Sequence, residues 1–292
     1  MLSKEETAAF AEKFPHKAVP TSAYNFDQLA EIYSNARTDY IVPMPMNGKR
    51  MQEYVESYDL DLDASIVAVD PDDDGINGIC MLGVREDRTW ITRLGVIPER
   101  RRRKSGEFLM RAEIDKTLEI GRKIVQLEVI KGNAPAHHLF KKLGFEETRD
   151  LMVIRRPPGP LKPEQTRELA FAPMDNDVIW KLMEHREPGA AWTEETASLR
   201  AAGSIQGLHV QIPSGEDGWV IYQRKPFQMG HFVFSPDVSD LMTAGLIAAV
   251  HQQNPMQDTK IENVPSDHYT WPIFQQFGYV IAFERIEMFL HL

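Results

Sequence analysis

The sequence predicts an α/β protein of two domains. The chain has 292 residues, and at roughly 100–200 residues per domain this length suggests two domains rather than one. Up to residue 156 the hydrophobic pattern follows the order helix, helix, three strands, helix, strand, helix, strand, which combines an antiparallel start with later βαβ character. A proline-rich segment follows, and the pattern beyond it repeats this order in a blurred form.

Two helices and three strands are predicted first. Apolar residues recur with helical spacing over 27–36, and 49–58 is predicted as a second helix. The strands are predicted at 65–69, 76–85 and 89–96. The segment Asp70–Gly75 matches the first six positions of an EF-hand loop, but the twelfth position is Met81 instead of a glutamate. A hairpin turn is therefore predicted there.

The later elements of the first part alternate between helix and strand. They are predicted as a helix over 105–121, a buried strand over 124–130, a helix over 134–143 and a final strand over 145–154. Gly121 is expected to end the first of these helices. This alternation gives the first part its βαβ character.

The loop over residues 97–106 contains five consecutive cations, Arg100 to Lys104, and enters the predicted helix at Ser105. A helix N-terminus presents unpaired backbone N–H groups and the positive end of the helix dipole. Gly106 would let a ligand approach the backbone closely. These features are typical of a phosphate or pyrophosphate site, although a solvated basic loop or a nucleic-acid patch has the same local sequence.

Two ordered motifs resemble the GNAT superfamily of N-acetyltransferases. Val96-Ile97-Pro98, followed by 101–106, is similar to the acyl-CoA loop of that family. The later motif of the family is met at Asn133, Ala136, Leu139, Gly144 and Phe145. The resemblance covers about residues 20–156. It implies a GNAT-like fold, a mixed, mostly antiparallel twisted sheet flanked by helices, here in two tandem copies.

The resemblance implies acetyl-CoA, or another acyl-CoA, as co-substrate, and no metal. Pyrophosphate would bind backbone N–H groups of the loop, pantetheine would pair with the strand edge before it, and the thiol would lie beside the later motif. The cofactor-binding residues implied in this way are Leu94, Gly95, Val96, Arg101, Arg102, Arg103, Lys104, Ser105, Gly106, Asn133, Ala136 and Phe140.

The chain departs from the family pattern at two positions. Lys104 replaces the first glycine of the phosphate loop, so the turn must accommodate a side chain. Phe140 replaces a tyrosine that is taken to protonate the departing thiolate in many relatives, and phenylalanine has no proton to donate. Because a thiolate is a tolerable leaving group, the substitution is expected to slow the reaction instead of abolishing it.

Glu128 is the predicted general base. In relatives that acetylate protein N-termini, a glutamate often stands twelve residues before the motif tyrosine, and Glu128 and Phe140 have that spacing. An ammonium group must lose a proton before its nitrogen can attack a thioester, and a carboxylate can accept it. A glutamate in a structural ion pair is the alternative, and His137 and His138 are weaker candidates.

The second part, residues 165–292, resembles a degenerate copy of the first. Residues 274–279 repeat the spacing of 140–145 at an offset of 134. The segment Pro236–Leu241, which corresponds to the phosphate loop, has no arginine and no glycine, and it contains two aspartates. We therefore predict that this copy binds no CoA, and that it either walls the acceptor cleft or stabilises the pair of domains.

Composition limits the partners and the compartment. The net charge is −10, with −2 over 1–156 and −8 over 157–292, which argues against nucleic-acid binding and favours a cationic amine as acceptor. No apolar run approaches the ~20 residues of a membrane span, so no membrane partner is expected. Met1–Glu6 is charged and Cys80 is the only cysteine, so the sequence predicts a cytoplasmic protein.

The sequence thus predicts a catalytic acyl-CoA-binding domain over 1–156, a linker over 157–164 and a degenerate domain over 165–292. The predicted function is an acetyl-CoA-dependent N-acyltransferase. It would move an acetyl group to a primary amine of a small molecule or peptide by direct attack on the thioester. The alternative is a non-catalytic acyl-CoA-binding regulatory or interaction protein.

Overall fold

The computed structural model describes residues 14–165 and 168–292, in two compact units. Unit 1 contains the residues up to Thr148 together with Glu287–Leu292, and unit 2 contains Arg149–Ile286. The segment Met1–Glu6, which contributes to the prediction of a cytoplasmic protein, lies outside the described residues.

The boundaries of the two units differ from the predicted ones, which place the first domain at 1–156, the linker at 157–164 and the second domain at 165–292. Residues 149–156 belong to unit 2 because they pair with a later strand, with Arg156 opposite Thr259 and Leu151 opposite Pro265. The last residues of the chain belong to unit 1, where Leu292 donates its backbone N–H to Lys123 O. Hydrogen-bonded partners, which local composition does not specify, decide both assignments.

Unit 1 is a sheet with helices packed against it. Its strands are β1 (Lys17–Pro20), β2 (Leu60–Val69), β3 (Ile76–Val84), β4 (Thr89–Val96) and β5 (Ile124–Ile130). Its helices are α1 (Phe26–Asn35), α2 (Gly48–Ser57), α3 (Ser105–Glu119) and α4 (Ala134–Lys142). The strand order is β1-β2-β3-β4-β5, with the end of the last strand of the chain next to β5. Only β4 and β5 pair in parallel among these five strands, so the predicted mixed, mostly antiparallel sheet flanked by helices is confirmed.

Local sequence explains where the first helices begin. The Asn25 side chain accepts from the Gln28 backbone N–H while the Gln28 side chain accepts from that of Asn25, which forms a capping box for α1. Asn47 caps α2 in the same way with one bond, to the Arg50 N–H. Asp70 N–H donates to Gly75 O at 2.8 Å and closes the predicted hairpin turn between β2 and β3.

Unit 2 repeats this arrangement of sheet and helices. Its strands are β6 (Glu146–Arg156, from Arg149 onward), β7 (Ala170–Pro173), β8 (Ile205–Gln211), β9 (Asp217–Arg224), β10 (Gln228–Phe234), β11 (Asp258–Pro265) and the first part of β12 (Val280–His291). Its helices are α5 (Asn176–Met183), α6 (Thr196–Ala202), α7 (Asp240–Gln253) and α8 (Trp271–Gln276). The strand order from β6 is β6-β11-β10-β9-β8-β7. β10 and β11 pair in parallel, as β4 and β5 do, and α7 lies in the core as a helix that is buried along most of its length.

Candidate active site

The parallel pair β4 and β5 opens towards its carboxyl end. Its register comprises Thr89 with Val125, Trp90 with Gln126 and Ile91 with Leu127, although β4 continues to Val96 and β5 to Ile130. Arg93 lies where the register of β4 against β3 shifts, and it has a left-handed backbone conformation with φ of 52°. A bulge of this kind bends a strand. The predicted pantetheine-binding segment Leu94–Val96 therefore follows the bend.

Gly95 is required by packing. A Cβ atom built at this position would lie 2.8 Å from the Ala36 Cβ, so only glycine lets the end of α1 approach β4 this closely. The backbone of Val96 faces Gly78 on β3, and its carbonyl oxygen accepts a bond from Arg101 Nε at 3.2 Å. The structure thus gives Gly95 a packing role that the resemblance alone did not indicate.

The N-terminus of α3 has no side-chain cap. Lys104 precedes the helix with φ of 62°, and Arg102 has φ of 65°, so two non-glycine residues take the left-handed conformation in this loop. A Cβ atom built at Gly106 would lie 3.6 Å from Leu139 Cδ2 and 3.7 Å from Val96 Cγ2, which is ordinary contact. Packing therefore does not require glycine at position 106, and within residues 14–165 and 168–292 no side chain accepts from the N–H groups at this helix start.

Ion pairs occupy three of the five loop cations. Arg100 pairs with Asp73 at 2.8 Å, Arg103 with Asp70 at 2.9 Å, and Arg101 grips both carboxylate oxygens of Asp39 at 2.6 and 2.7 Å. The hydrogen bonds from Arg101 hold the pKa of the exposed Asp39 carboxyl below its usual value.

The two remaining cations of the loop are Arg102 and Lys104. Both are exposed, and neither forms an ion pair within the part of the chain that the structure describes. They stand next to the uncapped start of α3. An anion at that helix terminus would therefore find two cations that no carboxylate already holds.

The later motif lies around the start of α4. The Asn133 side chain accepts from the Ala136 backbone N–H at 3.4 Å and donates to the Tyr40 hydroxyl at 3.1 Å. Phe140 is 5% exposed, and its ring centroid lies 6.1 Å from that of Phe145. Asn133 thus orients a polar group at the end of β5, whereas Phe140 supplies an apolar surface.

Glu128 is half-buried near the opening of the β4–β5 pair. Trp90 Nε1 donates to Glu128 Oε2 at 2.7 Å, and Gln126 Nε2 donates to Oε1 at 3.3 Å. Gln126 Nε2 also donates to the buried Glu287 at 3.0 Å, and Arg88 Nε donates to Gln126 Oε1 at 2.8 Å. Hydrogen bonds fix both oxygens of the Glu128 carboxylate, so it presents a positioned acceptor. His137 instead bonds Glu147 at 2.9 Å on an exposed surface.

A group of arginines and tyrosines that the sequence did not predict lies on the α1–α2 side of β4. We call Tyr33, Arg37, Tyr40, Tyr54 and Arg93 the arginine–tyrosine cluster. Arg93 Nη1 donates to the Tyr33 hydroxyl at 3.0 Å, and its Cζ lies 3.7 Å from the Tyr54 ring centroid. The Arg37 Cζ lies 3.3 Å from the Tyr40 ring centroid. The available signal was a single charged residue, an arginine, inside the otherwise uncharged strand β4, together with tyrosines in the two preceding helices, α1 and α2.

Burial changes the proton equilibria within this cluster. It raises the pKa of Tyr54 to about 12, although the neighbouring Arg93 and the bond to Thr92 act in the opposite direction. Tyr54 and Thr92 share a hydrogen bond of 2.7 Å. Burial also lowers the pKa of Arg37, and the positive charge of Arg93 lowers it further. The Tyr54 phenol therefore stays protonated at neutral pH.

In unit 2 the helix start that corresponds to the start of α3 is the start of α7, and it is capped by a side chain. Ser239 caps α7 by accepting from the Met242 N–H at 3.0 Å. The Glu216 carboxylate in turn accepts from the Ser239 backbone N–H at 2.9 Å and from its hydroxyl at 2.6 Å. These bonds lower the pKa of Glu216. An internal carboxylate thus occupies the place where an anionic ligand would bind, next to Asp237 and Asp240.

Residues 27–145 match the model of the acetyltransferase (GNAT) family. The match confirms, over this segment, the resemblance identified in the two motifs. It supports acyl transfer as the general class of reaction.

Solved structures with the same fold cover nearly the whole chain. A GCN5-related N-acetyltransferase from Sphaerobacter thermophilus has a TM-score of 0.68 at 13% identity, and 96% of each chain is covered. A tandem GNAT protein from the clavulanic acid biosynthesis pathway has a TM-score of 0.63 at 12% identity, with 94% of this chain and 98% of that one covered. A fungal glucosamine N-acetyltransferase region has a TM-score of 0.69 at 11% identity, over 94% of this chain and 38% of that one. At these identities the likeness concerns the fold.

No curated protein shows significant sequence similarity to this chain. Among the described residues, no helix combines the length and the apolarity needed to cross a bilayer. Within the same residues, no group of three or more histidine, cysteine or acidic side chains is arranged to hold a metal ion.

Proposed function

We propose that this protein is an acetyl-CoA-dependent N-acyltransferase that transfers an acetyl group to a primary amine. The observation that carries the proposal is the uncapped N-terminus of α3 beside the open end of the β4–β5 pair. A helix terminus of this kind binds anions through backbone N–H groups. Within the described part of the chain, the side of β4 that faces β5 lacks a hydrogen-bonded partner beyond Ile91, so its main-chain groups are available for an extended ligand. Acyl-CoA has the matching groups in the same order, an anionic pyrophosphate followed by the extended, amide-containing pantetheine.

In this proposal some cations of the basic loop hold the loop in place, and others bind the phosphates. Arg101 positions the loop, because it joins Asp39 to the carbonyl of Val96. Arg102 and Lys104 meet the phosphates together with the N–H groups of Ser105 and Gly106. Arg103 can join them by leaving Asp70, because the buried Asp70 carboxylate keeps a second ion pair, with Arg100 at 3.4 Å. Pantetheine lies along Leu94–Val96, and Asn133, Ala136 and Phe140 lie at its thiol end.

Acyl transfer proceeds by direct attack of the amine on the thioester carbonyl carbon. The ammonium proton passes to the Glu128 carboxylate, directly or through a water, so that the nitrogen lone pair becomes free. The new C–N bond forms as the C–S bond breaks, and CoA leaves as a thiolate that solvent can protonate, because Phe140 has no proton to give. Alignment of the amine with the thioester supplies much of the rate enhancement.

Unit 2 is proposed to bind no CoA. The Glu216 carboxylate already accepts from the N–H of Ser239, and the loop before α7 has no cation to balance a pyrophosphate. The single, buried Cys80 and the absence of an apolar run of membrane length in the sequence support a cytoplasmic location.

Calorimetric titration with acetyl-CoA tests the proposal. We expect one site per chain, weakened by added salt, and at least a ten-fold loss of affinity in Arg102→Glu, since one charge-assisted hydrogen bond is worth about 1.5–3 kcal/mol. Arg224→Glu, at an exposed position at the end of β9, is the matched control and should bind as the wild type does. If the wild-type protein binds no acetyl-CoA, the proposal is wrong.

Release of CoA thiol in the presence of an amine panel separates an enzyme from a binding protein. The panel should contain amino acids, peptides and amino sugars, including glucosamine, which the fold neighbour described above is named for. Binding of acetyl-CoA without release of CoA for any acceptor would favour the alternative, a non-catalytic acyl-CoA-binding protein.

A further inference from the structure

The arginine–tyrosine cluster brings two guanidinium groups together on a surface of aromatic rings. Arg93 comes from the bulge in β4 and Arg37 follows the end of α1. Both side chains contact Tyr33, whose ring centroid lies 5.0 Å from the Arg93 Cζ and 5.1 Å from the Arg37 Cζ. The positive charge of Arg93 is close enough to lower the pKa of Arg37.

The contacts of Arg37 are with electrically neutral groups. Its guanidinium lies on the Tyr40 ring, Nη2 is 3.5 Å from the Met44 sulfur, and the sulfur is a weak acceptor. Within residues 14–165 and 168–292, no carboxylate forms an ion pair with Arg37, and its buried Nε has no hydrogen-bond partner. A half-buried guanidinium beside a second cation is costly unless an anion compensates it.

The cluster lies between Asn133, at the proposed thiol end of the cofactor, and Glu128, the proposed base. On one side, the Tyr40 hydroxyl accepts from Asn133 at the start of α4. On the other side, the Tyr54 and Trp90 ring centroids are 6.2 Å apart, and Trp90 donates to Glu128. Both arginines, Tyr40, Tyr54 and Glu128 are half-buried, so solvent reaches the group.

We propose that the arginine–tyrosine cluster binds a carboxylate group of the substrate, so that the acceptor is an amino acid or a similar amine that carries a carboxylate. This inference rests on the proposed function. The planar guanidinium of Arg37 can hold a carboxylate through its N–H groups while its face stays on Tyr40, and Arg93 adds a second positive charge. The ammonium end of such an acceptor is attracted to Glu128, which lies at the other end of the cluster.

The proposal refines the acceptor that the composition favours. A net charge of −10 attracts cationic amines at long range, but the charges nearest to Asn133 in this cluster are positive. A zwitterion satisfies both conditions, because its ammonium faces Glu128 and its carboxylate faces the arginines.

A kinetic comparison of matched acceptors tests the inference. The twenty amino acids and their α-carboxamides are compared in kcat/KM at saturating acetyl-CoA. We expect the best amino acid to exceed its amide at least ten-fold, and Arg37→Gln to remove this preference while the Kd of acetyl-CoA is unchanged. Arg50→Gln, on the exposed face of α2, is the control and should keep the preference. Equal kcat/KM for acid and amide in the wild type would overturn the inference and leave the proposed function standing.

Binding of products makes the test independent of turnover. N-acetyl amino acids and their amides are titrated calorimetrically into the protein saturated with CoA, and the acids should bind at least ten-fold more tightly. Where Arg37→Gln folds poorly, Arg37→Lys keeps the charge and should retain only part of the preference. Failure of acetyl-CoA to bind, by contrast, would count against the proposed function itself.

The carboxylate could also belong to the acyl chain, and the same experiment separates the two sources. Succinyl-CoA is titrated beside acetyl-CoA in the absence of acceptor. Equal Kd values assign the carboxylate to the acceptor. A succinyl-CoA Kd at least ten-fold lower, with the advantage lost in Arg37→Gln, would keep the carboxylate site but overturn its assignment to the acceptor.

Discussion

Replacing Gly106 by alanine separates the stability of α3 from its capacity to bind a ligand. The added methyl group would meet only Leu139 Cδ2 at 3.6 Å and Val96 Cγ2 at 3.7 Å, which is ordinary contact and causes no clash. Within a helix, alanine is more favourable than glycine by about 0.5–1 kcal/mol. The Tm of Gly106→Ala should therefore equal or exceed that of the wild type.

The affinity for acetyl-CoA should change in the opposite direction. A phosphate oxygen must come within about 2.9 Å of a backbone N–H, and the methyl group would occupy part of that approach. Loss of one charge-assisted hydrogen bond costs about 1.5–3 kcal/mol, which is a roughly ten- to hundred-fold rise in Kd. Calorimetric titration measures the Kd, and a thermal unfolding scan of the same preparation measures the Tm.

Gly121→Ala is the matched control for this experiment. Gly121 follows α3 with φ of 76°, and apart from its two chain neighbours no described residue has an atom within 4 Å of the position of an added Cβ. Alanine there should lower the Tm, because the left-handed conformation costs it about 1 kcal/mol, and it should leave the Kd unchanged. An unchanged Kd in Gly106→Ala would refute the placement of the pyrophosphate at the start of α3.

Three further substitutions have defined outcomes. Glu128→Gln should lower kcat/KM about 100-fold at pH 6 and less at pH 9, where more of the amine is already deprotonated, and an unchanged pH–rate profile would exclude Glu128 as the base. Phe140→Tyr adds a proton donor and should raise kcat by roughly ten-fold if release of the thiolate limits turnover, whereas a loss of activity would place this ring away from the thiol. Burial raises the pKa of Glu113 well above its usual value, so its stabilising contribution is full below pH 4 and falls as the pH rises. Glu113→Gln should therefore raise the Tm more at pH 8 than at pH 5, and an equal shift at both pH values would contradict this.

Elements with a strong local pattern could be predicted from the sequence. β4 and β5 run over the predicted residues 89–96 and 124–130, and α3 begins at the predicted Ser105. Burial on both faces of β5 and the turn residues before β4 explain why these bounds are well defined. β1 was missed because a strand of four residues shows no recognisable period.

Features that depend on distant partners could not be predicted. The composition of the basic loop indicated five available cations, but Arg101 pairs with Asp39, which is 62 residues earlier in the chain. The left-handed bulge at Arg93 has no signal of the kind that glycine provides, and the register of β4 against β3 determines it. The arginine–tyrosine cluster depends on both this bulge and the packing of α1, so no single stretch of sequence contains it.

The helix N-termini of α3 in unit 1 and α7 in unit 2 have the same backbone arrangement but differ in whether the chain itself supplies acceptors for their N–H groups. Each helix follows the first strand of a parallel pair, β4 of β4–β5 and β10 of β10–β11, and each has four N–H groups that need acceptors. At α7 the chain supplies the acceptors itself, from the side chains of Ser239 and Glu216. At α3 the residue before the helix is Lys104, whose side chain has no acceptor atom, and Arg102 is two residues earlier. A helix start with cations and without an internal acceptor favours an external anion, so the stoichiometry of acyl-CoA binding should follow this difference and be one per chain.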